Sequence, residues 1–174
     1  MSGSPRAALL AYAQPLQGAR LLVTPSRLQY SAEETGSMEI LRFVNAPGAE
    51  LKRRDQTSNA QLPSVYLRVD QYISTLLVSV EHEPRHYRVT TLGYEYAILD
   101  QQQREIISFH WHPGRRSHEH DSHAHIGSAV IDSNAASLGK TFSRFHIPTG
   151  QVSLVRIVRM LLTEFQAVPN RRDW

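Results

Sequence analysis

The chain contains no cysteine, which excludes disulfides, thiolate metal ligands and cysteine nucleophiles together. It also lacks any uninterrupted apolar run near the ~18–20 residues that a membrane-crossing helix needs. The apolar stretch close to the N-terminus is short and broken by Gln14 and Pro15, so no secretory leader is expected and a cytoplasmic location is. Motifs of familiar chemistries are missing too. There is no Walker loop, no glycine-rich dinucleotide turn, no His-Glu-x-x-His, no zinc-finger spacing and no Gly-x-Ser-x-Gly elbow. Those absences turn away nucleotide-driven enzymes, zincin proteases and α/β-hydrolases. An excess of charge is nearly missing as well: 19 Lys+Arg against 16 Asp+Glu leave +3, which admits an anionic partner without calling for one.

What the chain does have is a core and histidine. At 174 residues with 41% hydrophobic composition it is long and apolar enough for a single folded domain, residues 1–174. Nine histidines are present, and seven of them fall between His110 and His146. Imidazole titrates near pH ~6.5, binds transition metals when neutral and moves protons when not.

Hydropathy patterning predicts an α+β fold: an antiparallel β-meander with a short N-terminal helix and a C-terminal amphipathic helix packed on it. Residues 5–16, rich in Ala and Leu, form the first helix, ended by Pro15 and Gly18. Residues 19–24 and 27–30 read as strands around the Pro25-Ser26 turn, and residues 38–44 as another strand. Residues 45–63, with Pro47-Gly48, the basic run Lys52-Arg53-Arg54 and a polar stretch, read as an exposed loop. From residue 64, Val65, Leu67 and Val69 alternate with polar neighbours, the period of a strand with one buried face. The β-branched run over residues 73–80 reads as a fully buried strand. Strands are then expected over 86–90, 94–99 and 104–111, with Gly93 as a bulge or turn. Shorter ones follow over 124–130 and 143–147. Residues 113–122 are a His- and Arg-rich loop. Thr149 is the expected N-cap of the last helix, whose Val152, Val155, Val158, Leu162 and Phe165 share helical spacing while Arg156 and Arg159 face solvent. Residues 169–174 are left as a tail.

Two His-x-His pairs carry the chemistry, His110-Trp-His112 and His123-Ala-His125. On a strand, residues i and i+2 point to one face, so each pair presents two imidazoles side by side. If the two strands are neighbours four rings converge, with His146 as a fifth. Such a cluster suits two chemistries. It can hold a divalent transition metal such as Zn, Ni, Fe or Mn on His110, His112, His123, His125 and His146. Without a cofactor, one ring can act as a base and another as an acid. The loop between the pairs adds Arg115, Arg116, His118, Glu119, His120 and Asp121: the arginines for a phosphate, the acids to orient an imidazole or complete a metal shell. His82 and His86 flank Pro84 in an expected turn, a surface position. Tyr94 and Tyr96 share a strand face.

The segment from His86 to Ile126 resembles the small TumE-type toxins of bacterial toxin–antitoxin pairs. The likeness rests on Tyr94-Glu-Tyr-Ala-Ile-Leu-Asp100, then Ile106-Ile-Ser-Phe-His-Trp-His-Pro113, then His123-Ala-His-Ile126. It covers about forty residues; the N-terminal sixty residues and Phe145-His-Ile-Pro-Thr-Gly150 lie outside that pattern. The resemblance implies an intracellular endoribonuclease and an antitoxin that masks it. RNA brings its own 2′-hydroxyl nucleophile, so this reading needs no cofactor. His110, His112, His123 and His125 would supply base and acid, and Arg115 a phosphate clamp. Arg116, Lys52, Arg53, Arg54, Tyr94 and Tyr96 would contact the RNA. Two further readings stay open. One is a His-ligated metalloenzyme; the other is a non-enzymatic interaction module, pH- or metal-sensitive and able to oligomerise.

Overall fold

The computed structural model describes residues 4–32, 38–43, 48–79, 85–113, 120–130 and 145–170, with the backbone alone for 30–32 and 38–43. The fold is α+β. A helix, α1 (Pro5–Leu21), leads into strands β1 (Leu28–Ala32), β2 (Met38–Phe43), β3 (Ala49–Arg54), β4 (Gln61–Val78), β5 (His86–Leu99), β6 (Glu105–Trp111), β7 (His123–Ile126) and β8 (Ile147–Pro148), then α2 (Leu154–Thr163). The strands form one antiparallel sheet in the order β1-β2-β4-β5-β6-β7-β8, with β3 beside the N-terminal half of β4.

The core lies between one sheet face and the two helices. Leu154, Ile157, Val158, Leu161 and Leu162 form the buried stripe of α2. They cluster with Val65, Leu67, Val69, Tyr94, Tyr96, Ile98, Phe109 and Ala124 from four strands. Ser153 caps α2 by accepting from Arg156 N at 3.3 Å. Thr149, the expected cap, lies outside the helix and bonds Gly150 O instead.

Four expectations are corrected. First, α1 does not stop at Pro15 but runs to Leu21, so residues 19–21 are helical rather than a strand. An interior proline costs a helix about 3 kcal/mol. Here burial of Ala19 and Val23 in the core, and the Arg20 guanidinium on the carbonyls of Pro25 and Ser26, hold the last turn in place.

Second, within the expected loop over 45–63, residues 49–54 and 61–63 are strand, with Ala49 and Leu51 of β3 at most 1% exposed and paired with Leu67 and Val65; residues 45–47 lie outside the described residues. The β3–β4 turn is held by Asp55, whose Oδ1 accepts from the amides and hydroxyls of both Thr57 and Ser58. Those bonds hold its carboxyl well below the usual range.

Third, residues 73–78 are not a buried strand of their own. They are the end of the 18-residue β4, where Leu76 and Leu77 are half exposed. Fourth, residues 169 and 170 are not a free tail: the Asn170 amide and side chain donate to the carbonyls of Leu22 and Leu21.

The shorter strands also move. The expected strand over 124–130 is the four-residue β7, and that over 143–147 reduces to the two-residue β8, with residues 143 and 144 outside the described set. Gly93 lies within a continuous β5, beside a bulge at which Tyr72 faces Gly93 and Ile73 faces Thr91. Among the described residues, no helix is long and apolar enough to cross a membrane.

The basic run of β3 partly serves the fold. Arg53 Nε donates to Phe165 O at 2.6 Å, Arg53 Nη1 to Pro63 O at 3.3 Å, and Arg54 Nη1 to Asn59 Oδ1 at 3.2 Å. Arg53→Ala is therefore expected to cost about 1–3 kcal/mol, the range for hydrogen bonds from a charged donor. That is a fall of roughly 3–10 °C in Tm for a chain of this size. Exposed Lys52→Ala should stay within ~0.5 kcal/mol. Thermal melts of the two variants side by side check this; equal falls would mean the Arg53 bonds do not hold β3.

Candidate functional site

Register decides the site. His110 of β6 sits directly opposite Glu95 of β5 on one side and His123 of β7 on the other. His125 is opposite Ser108, and the β7–β8 pairing sets Ala124 against Ile147, which brings His146 alongside His125. Strand alternation puts these groups on the sheet face away from the helices, while their neighbours Phe109, Trp111 and Ala124 join the core. The two His-x-His pairs thus do share one face.

Five rings form one continuous cluster. His125 and His146 have centroids 4.2 Å apart, His123 and His146 4.7 Å, and His123 and His125 4.9 Å. His110 lies 5.0 Å from His125 and stacks on His123 at 5.8 Å. His112, one residue past β6, is 5.8 Å from His110 and meets the Tyr72 ring edge-on at 6.1 Å. A shallow cleft of about 400 Å³ opens beside the cluster, lined by Glu105, Ser108, His110, His125, Ile126 and Gly127.

Two rings have their tautomers set by neighbours. His123 Nδ1 faces the Asp121 carbonyl at 2.8 Å; a carbonyl only accepts, so Nδ1 carries a proton and donates it there. Ser108 Oγ donates to Glu105 Oε2 at 3.2 Å, which uses its one proton. It must then accept from His110 Nε2 at 2.9 Å, leaving the lone pair on His110 Nδ1. Arg68 Nη2 completes the chain, donating to Glu95 Oε1 at 2.8 Å and Glu105 Oε1 at 2.9 Å.

Burial, helped by the neighbouring imidazoles His125, His112 and His123, pushes the His110 pKa down to about 4. His125 is also lowered, by burial and by His123. At neutral pH these two rings are uncharged, the state of a proton acceptor or a metal ligand. His110 folded below its unfolded value means that the unfolded chain binds more protons, so stability rises with pH across this window. It is lost as pH falls from about 6.5 through 4. In chelator, the wild type should lose up to about 2 kcal/mol more than His110→Asn over that range, after allowance for solvent screening. Denaturant melts at both pH values measure the difference; identical pH slopes would contradict it.

The donor atoms group in two sets, each within 4.8 Å: His123, His125 and His146 in one, Glu95, His110 and His112 in the other. Three converging imidazoles are a common zinc-binding arrangement. Glu95, Ser108, Glu105 and Arg68 were not legible as site residues in the sequence, because only register sets them beside the rings.

Other expected site residues lie elsewhere. Tyr94 and Tyr96 stack at 4.7 Å in the core, on the opposite face of the sheet, and are at most 3% exposed. Tyr94 Oη accepts from Val152 N, and Tyr96 Oη donates to Gln71 Oε1, each at 2.8 Å. That removes both from reach of anything bound at the rings. Lys52, Arg53 and Arg54 belong to β3, which pairs with β4 and not with the histidine strands. Arg115, Arg116, His118, Glu119 and His82 lie outside the described residues. His86 opens β5 opposite Val78. No family model, curated protein or solved structure matches the chain.

Proposed function

We propose that the imidazole face is the centre of a metal-dependent enzyme, with His123, His125 and His146 holding one divalent transition-metal ion. The observation that carries this reading is the three-histidine set itself: donor atoms mutually within 4.8 Å, with His123 oriented by its Nδ1 donating to Asp121 O. Donation of the second ring nitrogen to a carbonyl is how metal-binding histidines are usually oriented. A bound ion would supply Lewis acidity and lower the pKa of a water molecule. The protein's own part is to fix the three rings, to keep His110 neutral beside them and to leave a cleft for substrate.

Crowding also counts against a purely organic mechanism. Metal-free cleavage needs one ring protonated as the acid, and each of the five imidazoles has another within 4.2–5.8 Å, which opposes that charge. Phosphodiesters of RNA are the substrate class we infer, from the resemblance to TumE-type toxins; an antitoxin that covers the imidazole face and a cytoplasmic setting go with that inference. A second reading, acid–base RNA cleavage without a metal, is favoured by the Glu105–Ser108–His110 chain, which presents His110 Nδ1 as an oriented base.

The test is RNA cleavage before and after exhaustive chelation, followed by restoration with Zn²⁺ or Mn²⁺. The metal reading expects a fall of about two orders of magnitude or more, in keeping with the several kcal/mol an ion supplies, and recovery on restoration. Cleavage undiminished in chelator would overturn it in favour of the acid–base reading.

A further inference from the structure

The second donor set has features that the three-histidine site does not explain. Glu95, His110 and His112 come from β5, β6 and the residue just past β6, and their donor atoms lie within 4.8 Å of one another. Each is partly buried, so the set is not a chance meeting of solvated side chains. Glu95 has one carboxylate oxygen, Oε1, bonded to Arg68, which fixes the carboxylate and leaves Oε2 for a second partner. The Nε2 proton of His110 goes to Ser108, leaving the Nδ1 lone pair. Arg68 also bonds Glu105, so one guanidinium and one hydroxyl orient two of the three donors.

Space is kept beside the third donor by a glycine. A Cβ on Gly93 would stand 2.6 Å from Trp111 O and 3.7 Å from His112 Nδ1. Any side chain there would displace the strand end that carries His112. Tyr72 closes the other side of that ring.

We propose that Glu95, His110 and His112 form a second divalent-cation site, so that the imidazole face holds two ions on neighbouring strands. The proposal rests on the reading of His123, His125 and His146 as the first site. Two imidazoles with one carboxylate make a harder donor set than three imidazoles, suited to Mn²⁺ or Fe²⁺ as well as Zn²⁺. His110 then acts as a ligand rather than a base, and its stacking on His123 makes the two sites adjacent. Paired ions are the usual device for holding the attacking and leaving oxygens of a phosphodiester.

The test is Zn²⁺ titration of the chelator-stripped full chain, with equivalents counted by native mass spectrometry and folding checked by circular dichroism. The parent is expected to bind two equivalents, Glu95→Gln/His112→Gln one, and His123→Ala/His146→Ala one. Two equivalents retained by Glu95→Gln/His112→Gln would overturn the second site, as would an equivalent lost only in His118→Ala/His120→Ala. One equivalent in the parent, lost with His123 and His146 but kept without Glu95 and His112, would overturn it and leave the first site standing. No bound zinc in the parent would overturn both.

Discussion

His125→Ala is expected to strip the protein of its first ion and reduce turnover to background. His125 makes the closest set of three ring contacts, with His110 at 5.0 Å, His123 at 4.9 Å and His146 at 4.2 Å. If the ~10–16 kcal/mol typical of a structural zinc site is shared among four donors, one ligand accounts for roughly 2.5–4 kcal/mol. That is a loss of about 10²–10³ in affinity. Stability gives an independent readout. A ligand at a hundred times its Kd stabilises the folded state by about 2.7 kcal/mol, which in a chain of this length raises Tm by roughly 5–10 °C. The Tm rise with Zn²⁺ should be smaller in His125→Ala than in the parent by about that amount. A variant that keeps both the thermal response and the activity would remove His125 from the site.

The second large effect is structural and reaches the site through one glycine. A Cβ on Gly127 would sit 1.9 Å from Glu105 O and 2.2 Å from its carbonyl carbon, and backbone cannot move aside as a flexible side chain can. The same crossing is pinned by Gly127 N donating to Ile106 O at 2.9 Å and Ala129 N to Glu105 O at 2.8 Å. Gly127→Ala must therefore pull β7 away from β6, at about 3 kcal/mol, the upper end for overpacking. The expected fall in Tm is roughly 6–12 °C. Because β7 carries His123 and His125, zinc affinity should fall with it. Gly18→Ala is the matched control. Nothing lies within 4 Å of the added methyl in α1, and alanine favours a helix over glycine by up to ~1 kcal/mol. Equal melting behaviour of the two variants would show that the β6–β7 crossing has room to spare.

These effects trace back to what alternation in a sequence can and cannot say. The period-2 pattern of residues 65–69 and the spacing of the two His-x-His pairs were enough to give an antiparallel sheet between two helices, with each pair on one face. Register was not legible, and it decides the rest. Tyr94 and Tyr96 flank Glu95, so a shared face for the tyrosines put the glutamate on the other; only the pairing of Glu95 with His110 shows that the glutamate side is the histidine side. Ser108 and Glu105 were hidden for the same reason.

Strand β3 was masked by its composition. Its apolar positions are just Ala49 and Leu51, set between Pro47-Gly48 and a basic run, yet both are buried because β4 is long enough to take a partner along its first half. Pro15 misled in the opposite sense: a local helix breaker was outweighed by packing at residues 19–23, which lie further along the chain.

The most direct test of the metal reading is the elemental content of the untagged protein, purified without chelator, beside His123→Ala/His146→Ala and His118→Ala/His120→Ala. At least one equivalent of a divalent transition metal is predicted in the parent, unchanged when His118 and His120 are replaced and reduced by one equivalent when His123 and His146 are. Metal absent from the parent, with a melting temperature that Zn²⁺ does not move, would contradict the metal centre and leave acid–base histidines in its place.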